Sequence, residues 1–485
     1  QAKVNSNEKL MNISGKIDIK PSKNTFLSLG GTYAYSSRMQ DRQPNDIPSR
    51  VFNWDNNRQF NRNTYRLYAK LTQKFGNDDS NDEESASLVK NAFFTMQADY
   101  TKDQWNIVDP NHKFNLFNYG YVGKFKTYRE RTYTTQEIAV DSSTGVIYTG
   151  FIQNGYKDTL LSYTPGGINT SLENYTNAYY ALFSQESYSS FANGYGADGV
   201  IRTANDLQGK GLLNGQQPAS PYSLFRNHGY MYNGATKNDE SQFSFKASGS
   251  ADIKSHELSF GFEYEEREES YWGMGPMSMW SQMRSLTNLH LLERDLSNPM
   301  PLFNANGIYQ DTVHYDQLFL EDIQSDFDRN LRGSLGLDPN GTDFIDIDSY
   351  DSKTFDIKMF GQDELLNSGS SLVYYYGYDI YGNKNTKSAT LKNFFEEGSE
   401  RLIAPYNPIY TAGYIQDKFA VEDLIFNIGL RIDRFDANQK VLKDKYLLHD
   451  AYSANSSRGM TASGGSRPST IGDDFIVYVD DFSSS

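Results

Sequence analysis

Residues 411–435 read TAGYIQDKFAVEDLIFNIGLRIDRF. Leu424, Phe426, Ile428, Leu430 and Ile432 fall on one face, and Asn427, Gly429, Arg431 and Asp433 on the other, with Ile425 the one exception. A period of two held from 424 to 432 predicts a strand with one apolar and one polar side. Ala412 to Phe419 predicts a less regular partner. The few residues around Val421-Glu422-Asp423 close the two strands into a hairpin.

The same pattern recurs along the chain. Met11, Ile13, Gly15, Ile17 and Ile19 alternate with Asn12, Ser14, Lys16 and Asp18, and a turn at 21–24 leads into Leu27, Leu29, Gly31, Tyr33 and Tyr35. Further strands are predicted from Tyr65, Leu67, Ala69 and Leu71, with Arg66 and Lys70 opposite, and from Phe94, Met96, Ala98 and Tyr100. Tyr119, Tyr121, Gly123 and Phe125 suggest a fifth strand, and a sixth is expected before Phe151. Phe243 to Ile253 and Leu258 to Tyr264 form another hairpin, with Lys246 and Glu263 on its polar side. This gives about ten strands in five hairpins, near 10–36, 62–100, 117–151, 242–266 and 411–434.

Composition narrows the setting. The 485 residues include 36 Tyr and 30 Phe, an aromatic load too high for a disordered chain. With no Cys, disulfides and thiolate metal sites are excluded. A formal net charge of −15 argues against a nucleic-acid binder and against docking on an anionic membrane surface. Mean hydropathy is −0.67, and no apolar run approaches the ~18 residues of a spanning helix. Barrel strands escape such averages, because half of their residues are polar.

The linkers alternate between short (21–24, 76–86, 129–131, 255–256, 421–423) and long (36–61, 101–113, 153–241, 267–410, after 435). Short turns on one side and long loops on the other are the layout of an outer-membrane barrel. Tyr33, Tyr35, Tyr100 and Tyr264 sit on the apolar face near the long-loop ends, as an interfacial girdle would. The expected fold is therefore all-β: a transmembrane antiparallel barrel spanning 1–485 as one domain, with large extracellular loops at 153–241 and 267–410. On this expectation Leu424, Phe426, Ile428, Leu430 and Ile432 face lipid. Lys16, Arg66, Lys70, Lys246, Glu263, Arg431 and Asp433 face the lumen.

AGYIQDKFAVEDLIFNIGLRIDRFDAN (412–438) resembles the barrel hairpin of TonB-dependent outer-membrane transporters, through Tyr414, Gln416 and Asp417, then Leu424, Asn427, Gly429, Arg431 and Asp433. FNYGYVGKFKTY (117–128) and the segment 363–384 resemble parts of large members, which often carry a carboxypeptidase-regulatory-like domain ahead of a plug. The resemblance implies a 22-stranded barrel around a plugged lumen, a TonB-type energy transducer, and uptake of a ligand captured outside the cell. A ligand-capping surface lipoprotein or other outer-membrane subunits are further expected partners. No plug is recognisable here, and ten strands are under half of such a barrel. An open half-barrel leaves edges that lipid does not tolerate. The chain is thus expected to be a piece of a longer polypeptide, the alternative being a small closed barrel with outsized loops.

Other chemistry is thin. Gly194–Gly199 matches GxGxxG but neither follows a clear strand nor opens a helix. The six His are scattered, and no nucleophile elbow, P-loop or HExxH is present, so no enzyme is expected. Asp338, Asn340 and Asp343, with Asp346, Asp348 and Asp351 nearby, partly resemble a calcium loop, but the spacing is incomplete and a solvated acidic turn is the plainer expectation. Met277, Trp280, Met283, Leu286, Leu289 and Leu292 predict a packed helix within Gly275–Asp295. Thr390–Gly398 predicts a second, short one. The loops are dense in Tyr (175, 179, 180, 188, 195, 222, 230, 232, 374–376, 378, 381), which suits either capture of glycan, peptide or protein or the loops' own core. Two functions remain: uptake through a plugged barrel, or a non-enzymatic barrel subunit of an outer-membrane complex.

Overall fold

The computed structural model describes residues 7–40, 51–75, 89–140, 143–145, 147–182, 199–203, 206, 212–218, 229–291, 293–385, 387, 389–396, 398–441, 452–456 and 469–477. The expected acidic turn at 76–85, most of the 194–199 glycine motif, and Tyr188, Tyr195 and Tyr222 lie outside the described residues.

Strands are half of the structure and helices 17%, and antiparallel pairing dominates, so the chain is a mostly antiparallel β protein. Eight long strands carry one open sheet. They are β1 (Glu8–Ser22), β2 (Thr25–Gln40), β3 (Arg58–Phe75), β4 (Val89–Val108), then β7 (Ala235–Ile253), β8 (His256–Met274), β14 (Ile409–Val421) and β15 (Leu424–Asp436). They pair in that order, with β4 directly beside β7 and β8 directly beside β14. The chain leaves the sheet twice, at 109–234 and 275–408, and each time returns to the adjacent position. The tight turns Lys23-Asn24, Lys254-Ser255 and Glu422-Asp423 share one end of the sheet, and both excursions share the other. Lys254 and Glu422 take φ of 57° and 54°, the left-handed backbone that two-residue hairpin turns require.

Register converts the alternation of single strands into two continuous faces. One cross-strand row reads Ile19, Leu27, Leu71, Met96, Ala247, Phe262, Gly413, Ile432, apolar across all eight strands. The adjacent row on the other face reads Asp18, Ser28, Lys70, Gln97, Lys246, Glu263, Ala412, Asp433. Among the described residues, no second layer covers the apolar face. Ile428, Leu430 and Ile432 are 60%, 62% and 66% exposed, and Ile13 and Ile17 on β1 are similarly bare. The polar face carries large rings folded over glycines: Tyr68 lies across Gly30, and Tyr414 across Gly261. Gly261→Val would drive a branched side chain into the Tyr414 ring. It should cost about 1–3 kcal/mol, read as a lower denaturant midpoint of the sheet.

The hairpin expected at 117–151 does not join this sheet. Strands β5 (Gly123–Val140) and β6 (Ile147–Pro165) pair with each other, and β6 continues to β11 (Tyr309–His314) and β10 (Met300–Phe303) as a separate four-stranded sheet. Tyr119 and Tyr121 precede β5 and are fully buried, in a turn where Gly120 and Gly123 take φ of 72° and 143°. Their alternation arises because a tight glycine turn feeds aromatics into a core, which period two alone does not distinguish from a strand. The main sheet accordingly has eight long strands, to which β13 (Val373–Tyr376) adds a short pairing on β8.

The two excursions pack as one body at the insertion end of the sheet. Its largest core joins Phe117 and Tyr121 of the first to Trp280, Met283, Phe327 and Phe360 of the second. The helix predicted within 275–295 is observed as Ser278–Leu286, with Met279, Trp280 and Met283 buried. The chain turns away at Thr287, and Asn288 takes φ of 60°. The second short helix is Leu391–Phe395, capped by Thr390, whose side chain accepts from the Asn393 N–H. No described helix is long and apolar enough to cross a membrane, a statement that leaves strands untouched.

Candidate functional site

The polar face of the sheet and the underside of the insertions meet in a recess of about 600 Å³. Strict alternation builds its floor. Thr101 and Asp103 of β4, Glu240 and Gln242 of β7, and Glu265, Arg267 and Glu269 of β8 share that face, and Tyr410 and Phe435 close it from β14 and β15. Backbone pairing of Tyr406 with Glu269 steers the returning chain across its upper edge. Five carboxylates (Asp103, Glu240, Glu265, Glu268, Glu269) line the recess against one guanidinium, Arg267. Each carboxylate on the floor is held: Asp103 accepts from Arg62 at 2.8 Å and Thr64 at 2.6 Å, Glu240 from Asn238 at 2.6 Å, Glu265 from Arg267 at 2.8 Å, and Glu269 from Tyr376 at 2.7 Å.

All seven expected lumen residues lie on this polar face. Four of them converge: Lys246 pairs with Glu263 at 2.6 Å, and Arg431 reaches Glu263 at 3.6 Å and Asp433 at 3.0 Å. Tyr410 donates to Asp433 and accepts from Arg431. Lys16 instead pairs locally with Asp18 at 3.0 Å, and Arg66 and Lys70 lie apart on β3. The recess carboxylates were not singled out from sequence. Their signal is present: Asp103, Glu265 and Glu269 extend the parity of Asp99 and Glu263 beyond the apolar stripe.

On the opposite face, Tyr33 packs on Tyr65 with centroids 5.0 Å apart and donates to Asn63 at 2.9 Å. Tyr264 donates to Glu266 at 2.9 Å, Tyr100 pairs in register with Phe243, and Tyr35 with Met11. All four tyrosines lie at the insertion-side border of the apolar stripe on their own strands. They do not share a row: Tyr33 is level with Ile13, Tyr100 with Gly15, and Tyr264 with Ile17. The far border of the apolar stripe is oblique in the same sense. Ile19 ends the stripe at the turn side of β1, yet its row meets β15 at Ile432, eight residues (432 − 424) from the stripe's end at Leu424.

The calcium-like residues are not gathered. Asp338, Asn340 and Asp343 are exposed, and Asp338 accepts from the Asn340 N–H at 3.1 Å in a local turn. The Pro339 and Gly341 carbonyls point to Gln324 and His290. No group of three or more His, Asp or Glu that could hold a metal ion occurs among the described residues. The nearby acidic residues meet partners from other elements. Asp348 is buried against Arg284 at 2.6 Å, and Asp351 meets Lys124 at 2.7 Å and Tyr121 at 3.2 Å. Of the loop tyrosines, Tyr180, Tyr375 and Tyr378 are buried, whereas Tyr374 is 68% exposed. No family model, no curated protein and no solved structure matches the chain.

Proposed function

We propose that the eight-stranded sheet is part of the wall of an outer-membrane β-barrel, in a receptor that takes up a ligand caught between the insertions and the polar recess. The oblique apolar band carries this reading. A shift of eight residues (432 − 424) at ~3.4 Å each, across seven strand spacings of ~4.8 Å, is a slope of roughly 40°. Strands of membrane barrels tilt by about 35–45°. A slab of fixed thickness laid across tilted strands must give such a band. Apolar residues facing a soluble second layer have no reason to keep its two borders parallel. In this reading the edges of β1 and β15 are paired, because unpaired backbone groups cost several kcal/mol each in hydrocarbon. The insertions lie outside the cell. The resemblance of 412–438 to TonB-dependent transporters supplies the direction of transport, the energy transducer and the plug.

The test is a scan of single tryptophans along 424–433 in the whole protein, reconstituted with lipids brominated on the acyl chains. Quenching should alternate, strong at 426, 428, 430 and 432 and weak at 427, 429 and 431. A flat profile would refute the membrane assignment. The large core that the insertions build on the ends of β4, β7 and β8 favours a second reading, a barrel subunit that holds partners in a surface complex. Uptake that stops when the energy transducer is removed supports the receptor. A complex that persists without any uptake supports the subunit.

A further inference from the structure

A small, partly open cavity of about 50 Å³ lies where the two insertions touch. Thr127 and Arg129 of β5 and Asp158 of β6 line it from the first insertion, and Arg284, Asp346 and Asp348 from the second. Both guanidiniums are already engaged by carboxylates. Arg129 holds Asp158 through two bonds of 2.6 Å, and Arg284 holds Asp348 at 2.6 and 2.7 Å. Asp346 is the odd carboxylate. Its Oδ2 accepts from the Thr127 hydroxyl at 2.7 Å and its Oδ1 from the Asp348 N–H at 3.1 Å, and among the described residues no cation pairs with it. Among the described residues, the remaining lining adds no titratable group: Phe125 and Leu160 from the strands, Leu213 from the first insertion, Thr287, Asn288, Phe344, Ile345 and Ile347 from the second. Arg129 Nη1 is buried without a hydrogen-bond partner, and the ring of Phe344 covers the guanidinium at 3.7 Å. Among the described lining groups, an ionised Asp346 sets three carboxylates against two guanidiniums in a half-buried place. Protonated, it leaves two carboxylates against the same two guanidiniums.

We propose that this cavity is a proton-controlled clasp between the two insertions, closed while Asp346 carries a proton and loosened once it is ionised. Burial, and then the charge of Asp348, push the Asp346 carboxyl up to about 7. The sign follows from linkage. The docked state binds the proton more tightly than the open state, so the clasp is firmest below the ordinary carboxylate range near 4. It weakens as pH rises toward 7 and is constant above. The device rests on contacts within the insertions and holds whether or not the sheet lies in a membrane.

Hydrogen exchange of the amides from Ile345 to Ser349, the buried segment of the second insertion that lies against β5, measured on the whole protein, reads the opening. With one proton linked, the opening equilibrium should rise by up to about tenfold per pH unit between about pH 4 and 7, then level off. Asp346→Asn keeps the shape and the acceptor oxygen without the charge. Its opening should be independent of pH, and at pH 8 it should be better protected than the wild type. Thr127→Val, which removes the donor that favours the ionised form, should keep the pH dependence and move its midpoint upward. Superimposable pH profiles for wild type and Asp346→Asn would overturn the proposal, as would loss of the pH dependence in Thr127→Val.

Discussion

Ile428→Arg is expected to cut folding into outer-membrane lipid sharply, while Asn427→Arg, one residue away on the same strand, leaves it near the wild-type level. Both positions are exposed in the isolated sheet. In water, surface substitutions of this kind fall within about 0.5 kcal/mol of neutral. In a bilayer they separate. Ile428 is at the centre of the apolar stripe from Leu424 to Ile432, and an arginine at the midplane of a membrane barrel costs about 2–4 kcal/mol. That is roughly a 30- to 700-fold change in the folding equilibrium at 1.4 kcal/mol per decade. Asn427 points to the other face, alongside Arg431 and Asp433, where a further cation stays hydrated. The measurement is the folded fraction in vesicles, separated from the unfolded chain by its heat-modifiable electrophoretic mobility. Equal yields for the two variants would remove the lipid assignment of the stripe and, with it, the proposed barrel.

The oblique band also marks what a single strand can and cannot reveal. The two faces of β15 are legible in its sequence, because lipid or core on one side and water on the other write a period of two. The tilt is not legible there. It exists only in the register between strands, and register is set by pairing partners far apart in the chain, such as Phe262 with Gly413 and Met96 with Ala247. The same limit explains the hairpin misplaced at 117–151. Tyr119, Tyr121 and Phe125 alternate as strand residues do, but they answer to Met231, Leu172 and Trp280, which no local window contains. The helix Ser278–Leu286 is legible because its apolar positions recur at helical spacing within one segment. Charge behaves in the same way. Lys246 with Glu263 could be anticipated from hairpin parity, whereas Arg284 with Asp348 could not. The acidic stretch that holds Asp346, Asp348 and Asp351 looks solvated until its partners from other elements are in view.

Arg284→Met is expected to open the insertions and leave the sheet standing. Arg284 is 5% exposed, and besides Asp348 it donates to the Asn214 carbonyl at 2.6 Å. Asn214 in turn grips the turn before β5, accepting from the Val122 N–H at 2.8 Å and donating to the Gly123 carbonyl at 3.0 Å, and it donates to Asp348 at 2.9 Å. One guanidinium thus ties the helix of the second insertion to the strand start of the first. Methionine fills much of the same volume but leaves Asp348 charged and buried, and breaking such a pair costs about 3–5 kcal/mol. Adding Asp348→Asn should recover a good part of that loss, because the double variant buries no unpaired charge. A coupling between the two positions well above the ~0.5 kcal/mol of independent sites is therefore expected. Emission from Trp280, stacked 5.8 Å from Tyr121, reports the insertions. Exchange of amides in β2 and β3 reports the sheet. If Arg284→Met released both together at one midpoint, the insertions and the sheet would be one cooperative unit. Release of the insertions alone would mean that two excursions, separated by the β7–β8 hairpin, fold as a body of their own on a wall that does not need them.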